Sequence, residues 1–137
     1  MSYPIKNKDN QKYKICIVED DPMIREIYQE SLKSNGYTVL TANDGEEGLA
    51  VIKKHKPDVA IIDIMMPKKD GISLIKEMQQ DQELAKVAVI VATNRSDEET
   101  IKEIGKLQTK FYLEKALFKP MEVVEFVREV LHNKIMA

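Results

Sequence analysis

Asp63 stands at the end of an apolar run, Val59-Ala60-Ile61-Ile62, and the acidic group Glu19-Asp20-Asp21 follows another, Ile15-Cys16-Ile17-Val18. Runs this apolar belong inside a sheet, and a carboxylate directly after each would stand at the sheet's edge. Three carboxylates meeting there would repel one another unless protons or a cation intervened. A hard divalent ion with oxygen ligands meets that need, and an open site that keeps several waters suits Mg²⁺. Asp20 and Asp63 are therefore expected as direct ligands, with Glu19 reaching the ion through water. The plain alternative is that such acids only cap helices or solvate loops, and Asp21, just before Pro22, fits that alternative.

Two more strand ends carry complementary groups. Thr93 follows the apolar run Val87–Ala92 and could donate its hydroxyl to an anionic oxygen. Lys115 follows Phe111-Tyr112-Leu113-Glu114 and could place an ammonium on the same anion. Taken singly, Thr93 is a turn residue and Lys115 a solvated charge. Together with an ion they form a cradle for a phosphoryl group, whose transfer depends mainly on positioning and charge neutralisation. Asp63 would then be the nucleophile, giving an aspartyl phosphate.

The elements needed to bring these groups together are legible in the spacing. Strands are expected near 14–18, 37–40, 59–62, 87–92 and 111–113. Helices are expected near 22–34, 44–54, 72–79, from Ser96 through Leu107, and 121–131. Met23, Ile24, Ile27, Tyr28 and Leu32 recur on one face of the first helix. Leu49 and Ile52 point inward from the second, and Ile101, Ile104 and Leu107 from the fourth. Ser96-Asp97-Glu98-Glu99 has the capping-box pattern. Strands alternating with helices predict a doubly wound (βα)5, flavodoxin-like α/β fold, a parallel sheet in the order 2-1-3-4-5 with helices on both faces. The order reverses between the first and third strands, where ligands bind outside the strands' carboxyl ends. Those are the strands that end in Glu19-Asp20 and Asp63.

Composition narrows the function classes. The 137 residues suit one domain with its own core, and a net charge of −2 lacks the basic excess of a nucleic-acid surface. No apolar run has the length of a membrane span, and the polar start does not have the pattern of a signal peptide. The single Cys16 lies in an apolar strand, which predicts a buried structural thiol and fits a reducing, cytoplasmic setting. Residues 1–12 read as a disordered lead-in or tag remnant, 13–132 as the folded domain and 133–137 as a tail. With so little after the last helix, no output domain is expected within this chain. It reads as a stand-alone unit that acts by docking or as a piece of a longer protein.

In order and spacing, Val18-Glu19-Asp20-Asp21-Pro22, Asp63 through Gly71, Thr93 and Tyr112-Leu113-Glu114-Lys115 resemble the receiver (REC, CheY-like) domain of two-component response regulators. The resemblance implies that Asp63 takes its phosphate from the phosphohistidine of a sensor histidine kinase or phosphotransfer protein. It implies that the Met65 backbone carbonyl joins Asp20 and Asp63 as a metal ligand, and that Thr93 and Tyr112 form a switch pair. Thr93 and Lys115 would gain partners only in the phosphorylated state, biasing a two-state equilibrium. The face of the fourth helix, fifth strand and fifth helix would report the change to a downstream protein target or pair with a second copy. Such a domain is a signalling switch that catalyses only its own phosphorylation and dephosphorylation.

Departures from the family pattern are also visible. Ala116 stands where the family usually has proline, and Lys119-Pro120 supplies that dipeptide later. Lys115 is still preferred, because it directly follows the strand and lies three residues beyond Tyr112. Asn94 replaces the small residue usual after the switch threonine, Gln108 replaces a glycine, and Met65 and Arg95 occupy positions that influence phosphate lifetime. Two competing readings follow. A degenerate receiver would act as a phosphorylation-independent interaction module. An aspartate-nucleophile phosphatase would normally carry Asp-x-Asp after its first strand, a pattern that Glu19-Asp20-Asp21 lacks.

Overall fold

Alternation along the strands decides where each helix can pack. In the first strand, β1 (Lys14–Val18), Ile15 and Ile17 face one layer while Cys16 and Val18 face the other. The third strand, β3 (Val59–Asp63), repeats this, with Val59 and Ile61 on the first side and Ala60 and Ile62 on the second. Both strands are covered on both faces, which is why their sequences are apolar without a polar alternate. The other strands are β2 (Thr38–Ala42), β4 (Ala88–Thr93) and β5 (Phe111–Glu114). All pairings are parallel, in the order β2-β1-β3-β4-β5.

This computed structural model describes residues 8–66, 68–94, 98–107, 109, 111–115 and 118–136. One face of the sheet is covered by α1 (Pro22–Ser34) and α5 (Pro120–Met136). The other is covered by α2 (Gly45–His55), α3 (Gly71–Gln80) and α4 (Glu98–Lys106). The helices divide two against three, as the reversal of strand order requires. The expected doubly wound fold is the one observed. Cys16 is fully buried, and burial, helped by the Glu47 charge, pushes its thiol up to about 12, so it serves as a small apolar core residue.

Several local expectations need correcting. Met23 and Ile27 of α1 are 70% and 40% exposed, because the inward stripe is Ile24, Tyr28 and Leu32 and the neighbouring stripe faces out. Ile101 is 51% exposed, since α4 seats itself through Thr100 and Ile104. Residues 133–136 continue α5 instead of trailing away. Lys134 fastens this last turn by donating from Nζ to the Asp58 carbonyl oxygen at 2.9 Å. Residues 8–12 form a 3-10 turn in which buried Asn10 donates from Nδ2 to the Asn35 carbonyl at 2.7 Å, satisfying the end of α1. The remaining element bounds lie within two residues of expectation. Residues 1–7, Arg95, Ser96, Asp97, Gln108 and Ala116, which carried the rest of the lead-in, the capping box and three family departures, lie outside the described residues.

Candidate functional site

Register brings the acidic residues together. Val18 pairs with Ile62, so Glu19 and Asp63 leave adjacent strands side by side. Asp63 in turn pairs with Ala92, directly before Thr93, and Thr93 pairs with Glu114, directly before Lys115. The Lys115 amide donates to the Thr93 carbonyl at 2.9 Å, extending the β4–β5 ladder into the site. Glu19, Asp63 and Thr93 are buried, whereas Asp20 is exposed at the mouth. One carboxylate oxygen each from Glu19, Asp20 and Asp63 lies within 4.8 Å of the others.

Local caps keep this edge in place. Asp21 accepts from the Met23 and Ile24 amides at 2.9 and 3.2 Å, which starts α1 directly after the acidic group. Its own amide donates to Glu19 Oε2 at 3.2 Å. Asp70 caps α3 through the Ser73 amide at 2.8 Å. The next residue is Gly71, where a Cβ would sit 2.3 Å from the Asp63 carbonyl oxygen. Only glycine lets α3 begin this close to the strand that carries Asp63.

The principal countercharge is Lys115. Its Nζ lies 2.5 Å from Glu19 Oε1 and 3.3 Å from Asp63 Oδ2, and its side chain is nearly buried. The expectation that Lys115 gains partners only after phosphorylation is therefore corrected: two carboxylates buried side by side require a cation already in the resting state. Thr93 likewise has an interaction of its own in this state. Asp63 Oδ1 accepts from the Met65 amide at 3.1 Å, tying the carboxylate to the loop that follows. Burial raises the Glu19 carboxyl to about 7, against the opposing hydrogen bond from Lys115 and with the help of Asp63. Burial alone would lower the Lys115 ammonium, but the Glu19 hydrogen bond and the charges of Asp63 and Glu19 outweigh it and raise it.

Of the residues singled out from the sequence, Glu19, Asp20, Asp63 and Lys115 converge, with Thr93 beside them on the same edge. Lys119 is exposed and its amide donates to Glu122, whereas Lys115 is the lysine that lies against the carboxylates. Met65 is 54% exposed at the start of the loop. Tyr112 is half-buried and packs with the layer formed by α2, α3 and α4. One contributor was missed: Arg25 donates from Nη1 to the Glu19 backbone carbonyl at 2.9 Å, steadying the acidic turn from within α1. Its only sequence signal is an arginine in the first turns of a helix that follows the acidic residues.

The oxygen donors suit a hard divalent ion: two buried carboxylates and one facing solvent, close enough to share it. The sequence model described as the response regulator receiver domain matches residues 15–128. The alkaline phosphatase synthesis transcriptional regulatory protein PhoP of Bacillus subtilis (strain 168) is 36% identical over 125 residues, covering 90% of this chain and 50% of PhoP. The probable C4-dicarboxylate response regulator DctR of the same organism is 41% identical over 93 residues, 66% of this chain and 40% of DctR. The chain thus spans about half the length, or less, of these curated relatives. Among solved structures, the Vibrio cholerae chemotaxis response regulator CheY4 superimposes with a TM-score of 0.79 at 28% identity, covering 86% of this chain and 98% of CheY4. The receiver domain of the Francisella response regulator 1452 gives 0.77 at 28%, covering 88% and 98%.

Proposed function

The chain belongs to the response regulator receiver domain family of two-component systems, and from that premise we propose that Asp63 accepts a phosphoryl group from a phosphohistidine and so switches the domain. The observation that carries this reading is the convergence of Asp63 with Glu19, Asp20 and Lys115 at one edge of the sheet. An Asp63 carboxylate oxygen attacks phosphorus as the phosphorus–nitrogen bond of the donor imidazole breaks, and the bonding pair leaves with the imidazole. Asp20, Asp63 and the Met65 carbonyl would hold Mg²⁺, with Glu19 behind them. The ion supplies positive charge against the phosphoryl oxygens and screens the carboxylates from one another. Lys115, already on Asp63, needs only to transfer its hydrogen bonds to a phosphoryl oxygen, and Thr93 offers its hydroxyl to another.

The added charge, roughly −1.5 to −2, alters what Lys115 and Thr93 bind. In this reading Tyr112 follows Thr93, and the face formed by α4, β5 and α5 changes for a downstream protein partner or a second copy. The donor is a sensor histidine kinase or phosphotransfer protein. A largely apolar cleft of about 400 Å³ beside Lys115, lined by Ile24, Ile27, Tyr28, Phe118 and Pro120, supports protein docking next to the acidic pocket. The receiver unit takes in the five strands and five helices, through the end of α5 at Met136. Among the described residues no helix is long and apolar enough to cross a membrane, and we place the domain in the cytoplasm.

Intact-mass measurement after incubation with Mg²⁺ and a small acyl phosphate tests the reading. A phosphoryl mass gain in wild type that is absent in Asp63→Asn is the expected result. An equal gain in both, or none in either, overturns it, and the latter leaves the phosphorylation-independent module.

A further inference from the structure

Residues 64–70 join β3 to α3 and carry Met65, so whatever holds this loop also shapes the ion pocket. Gly71 fixes its far end against the strand, as described above. Lys69, two residues earlier, meets a different helix. A Cβ at Gly45, the first residue of α2, would lie 1.9 Å from the Lys69 carbonyl oxygen and 2.6 Å from both its carbonyl carbon and its Cβ. Two of these three atoms are backbone, so no rotamer change makes room. Either the loop or the helix would have to move.

The helix is the more firmly seated of the two. Asp44 caps it by accepting from the Glu47 amide at 2.8 Å, and Ile52, about two turns into the helix, is fully buried. Gly48 lies against the core so closely that a Cβ there would come 2.8 Å from Val18 Cγ1 of β1. The loop, by contrast, exposes Met65 and Lys68. Among the described residues, its attachment to α2 is the Gly45–Lys69 approach and a Lys68–Asp44 ion pair at 3.4 Å whose lysine end is exposed. A side chain at position 45 would therefore displace the loop. The Met65 amide bonds Asp63 Oδ1, so that displacement reaches the carboxylate as well.

We infer that Gly45 is a positioning residue for the ion pocket: with no side chain, the start of α2 is a backstop that sets residues 68–70 and, through them, Met65 and Asp63. The inference rests on the reading of Asp63 and Met65 as ion ligands. Coupling between two sites is reciprocal, so an ion that fixes the loop must also steady the first turn of α2.

Calorimetric Mg²⁺ titration of wild type, Gly45→Ala and Gly48→Ala, paired with amide hydrogen exchange in wild type with and without Mg²⁺, tests this. Gly45→Ala is expected to bind Mg²⁺ about tenfold more weakly, the lower end of the loss seen when a support of a metal ligand is removed. Gly48→Ala, crowded by core side chains and not by the loop backbone, should lower the melting temperature and leave Mg²⁺ affinity within about twofold. In wild type, Mg²⁺ should slow exchange at the Glu47 and Gly48 amides. Equal Mg²⁺ affinities for the two variants, or Glu47 and Gly48 amides indifferent to Mg²⁺, overturn the inference. If Gly45→Ala does not fold, wild-type exchange decides alone. A wild type that binds no Mg²⁺ instead removes the ligand assignment beneath it, which is a separate and recognisable failure.

Discussion

Ile62 and Asp63 are consecutive on β3 and almost equally hidden, 0% and 4% exposed, yet burial acts on them in opposite directions. For Ile62 and its neighbours in the sheet interior, leaving water contributes roughly 1.5–3 kcal/mol per large aliphatic side chain. For Asp63 and Glu19 at the carboxyl edge, leaving water costs several kcal/mol per charge, offset only in part by the Lys115 ammonium between them. The interior holds the fold together. The edge keeps reactive charges under tension, and the interior makes that tension affordable.

The sharpest test of the contrast removes a charge from the edge. Asp63→Asn should abolish phosphoryl uptake while leaving the melting temperature in ion-free buffer unchanged or higher, as intact mass and calorimetry would read. A large drop in stability would show that the edge supports the fold after all. Next comes loss of the shared cation. Lys115→Met should destabilise the ion-free protein by about 4 kcal/mol at pH 8, because two buried carboxylates lose their partner. Urea unfolding should show the penalty shrinking below pH 7, where Glu19 can take up a proton.

In the interior, Ile61→Ala should cost about 3 kcal/mol through lost burial and a cavity, with little dependence on pH or Mg²⁺. A comparable but pH-dependent effect concerns Glu19 itself. Its folded pKa of about 7 lies above the ordinary 4.5, so its contribution to stability is fully present below pH 4.5 and fades as pH rises through 7. In ion-free buffer the stability difference between wild type and Glu19→Gln should change by about 3 kcal/mol across that window. A flat difference would mean that Lys115 holds Glu19 ionised throughout. The smallest effect is expected where apolar side chains lie in neither region. Met23→Ser and Ile27→Ser should each move stability by about 0.5 kcal/mol or less.

What the sequence made legible follows the same division. Strands buried on both faces leave unbroken apolar runs, so β1 and β3 and the acids after them could be read directly. A helix leaves only a period, and the period of α1 does not say which of two adjacent stripes, Ile24-Tyr28 or Met23-Ile27, lies inward. That depends on how the helix is rolled against α5. The pairing of Lys115 with Glu19 spans 96 positions and exists only because strand order places β5 three strands from β1 in one sheet. Its presence is a matter of buried charge balance, which no local motif encodes. The last turn of α5 is held by a lysine on a distant carbonyl, and Gly45 meets a loop that its own segment does not announce.

That same long-range lysine has a consequence for how the molecule comes into being. During synthesis, β1 and β3 with their acids emerge long before residue 115, and contacts so remote in sequence close late because a large loop must be drawn in first. Until β5 docks, Glu19 and Asp63 lack their ammonium and are driven apart or kept wet. A ribosome-bound fragment ending before β5 is therefore expected to have an unfinished, splayed acidic edge, which closes only when the final strand locks in.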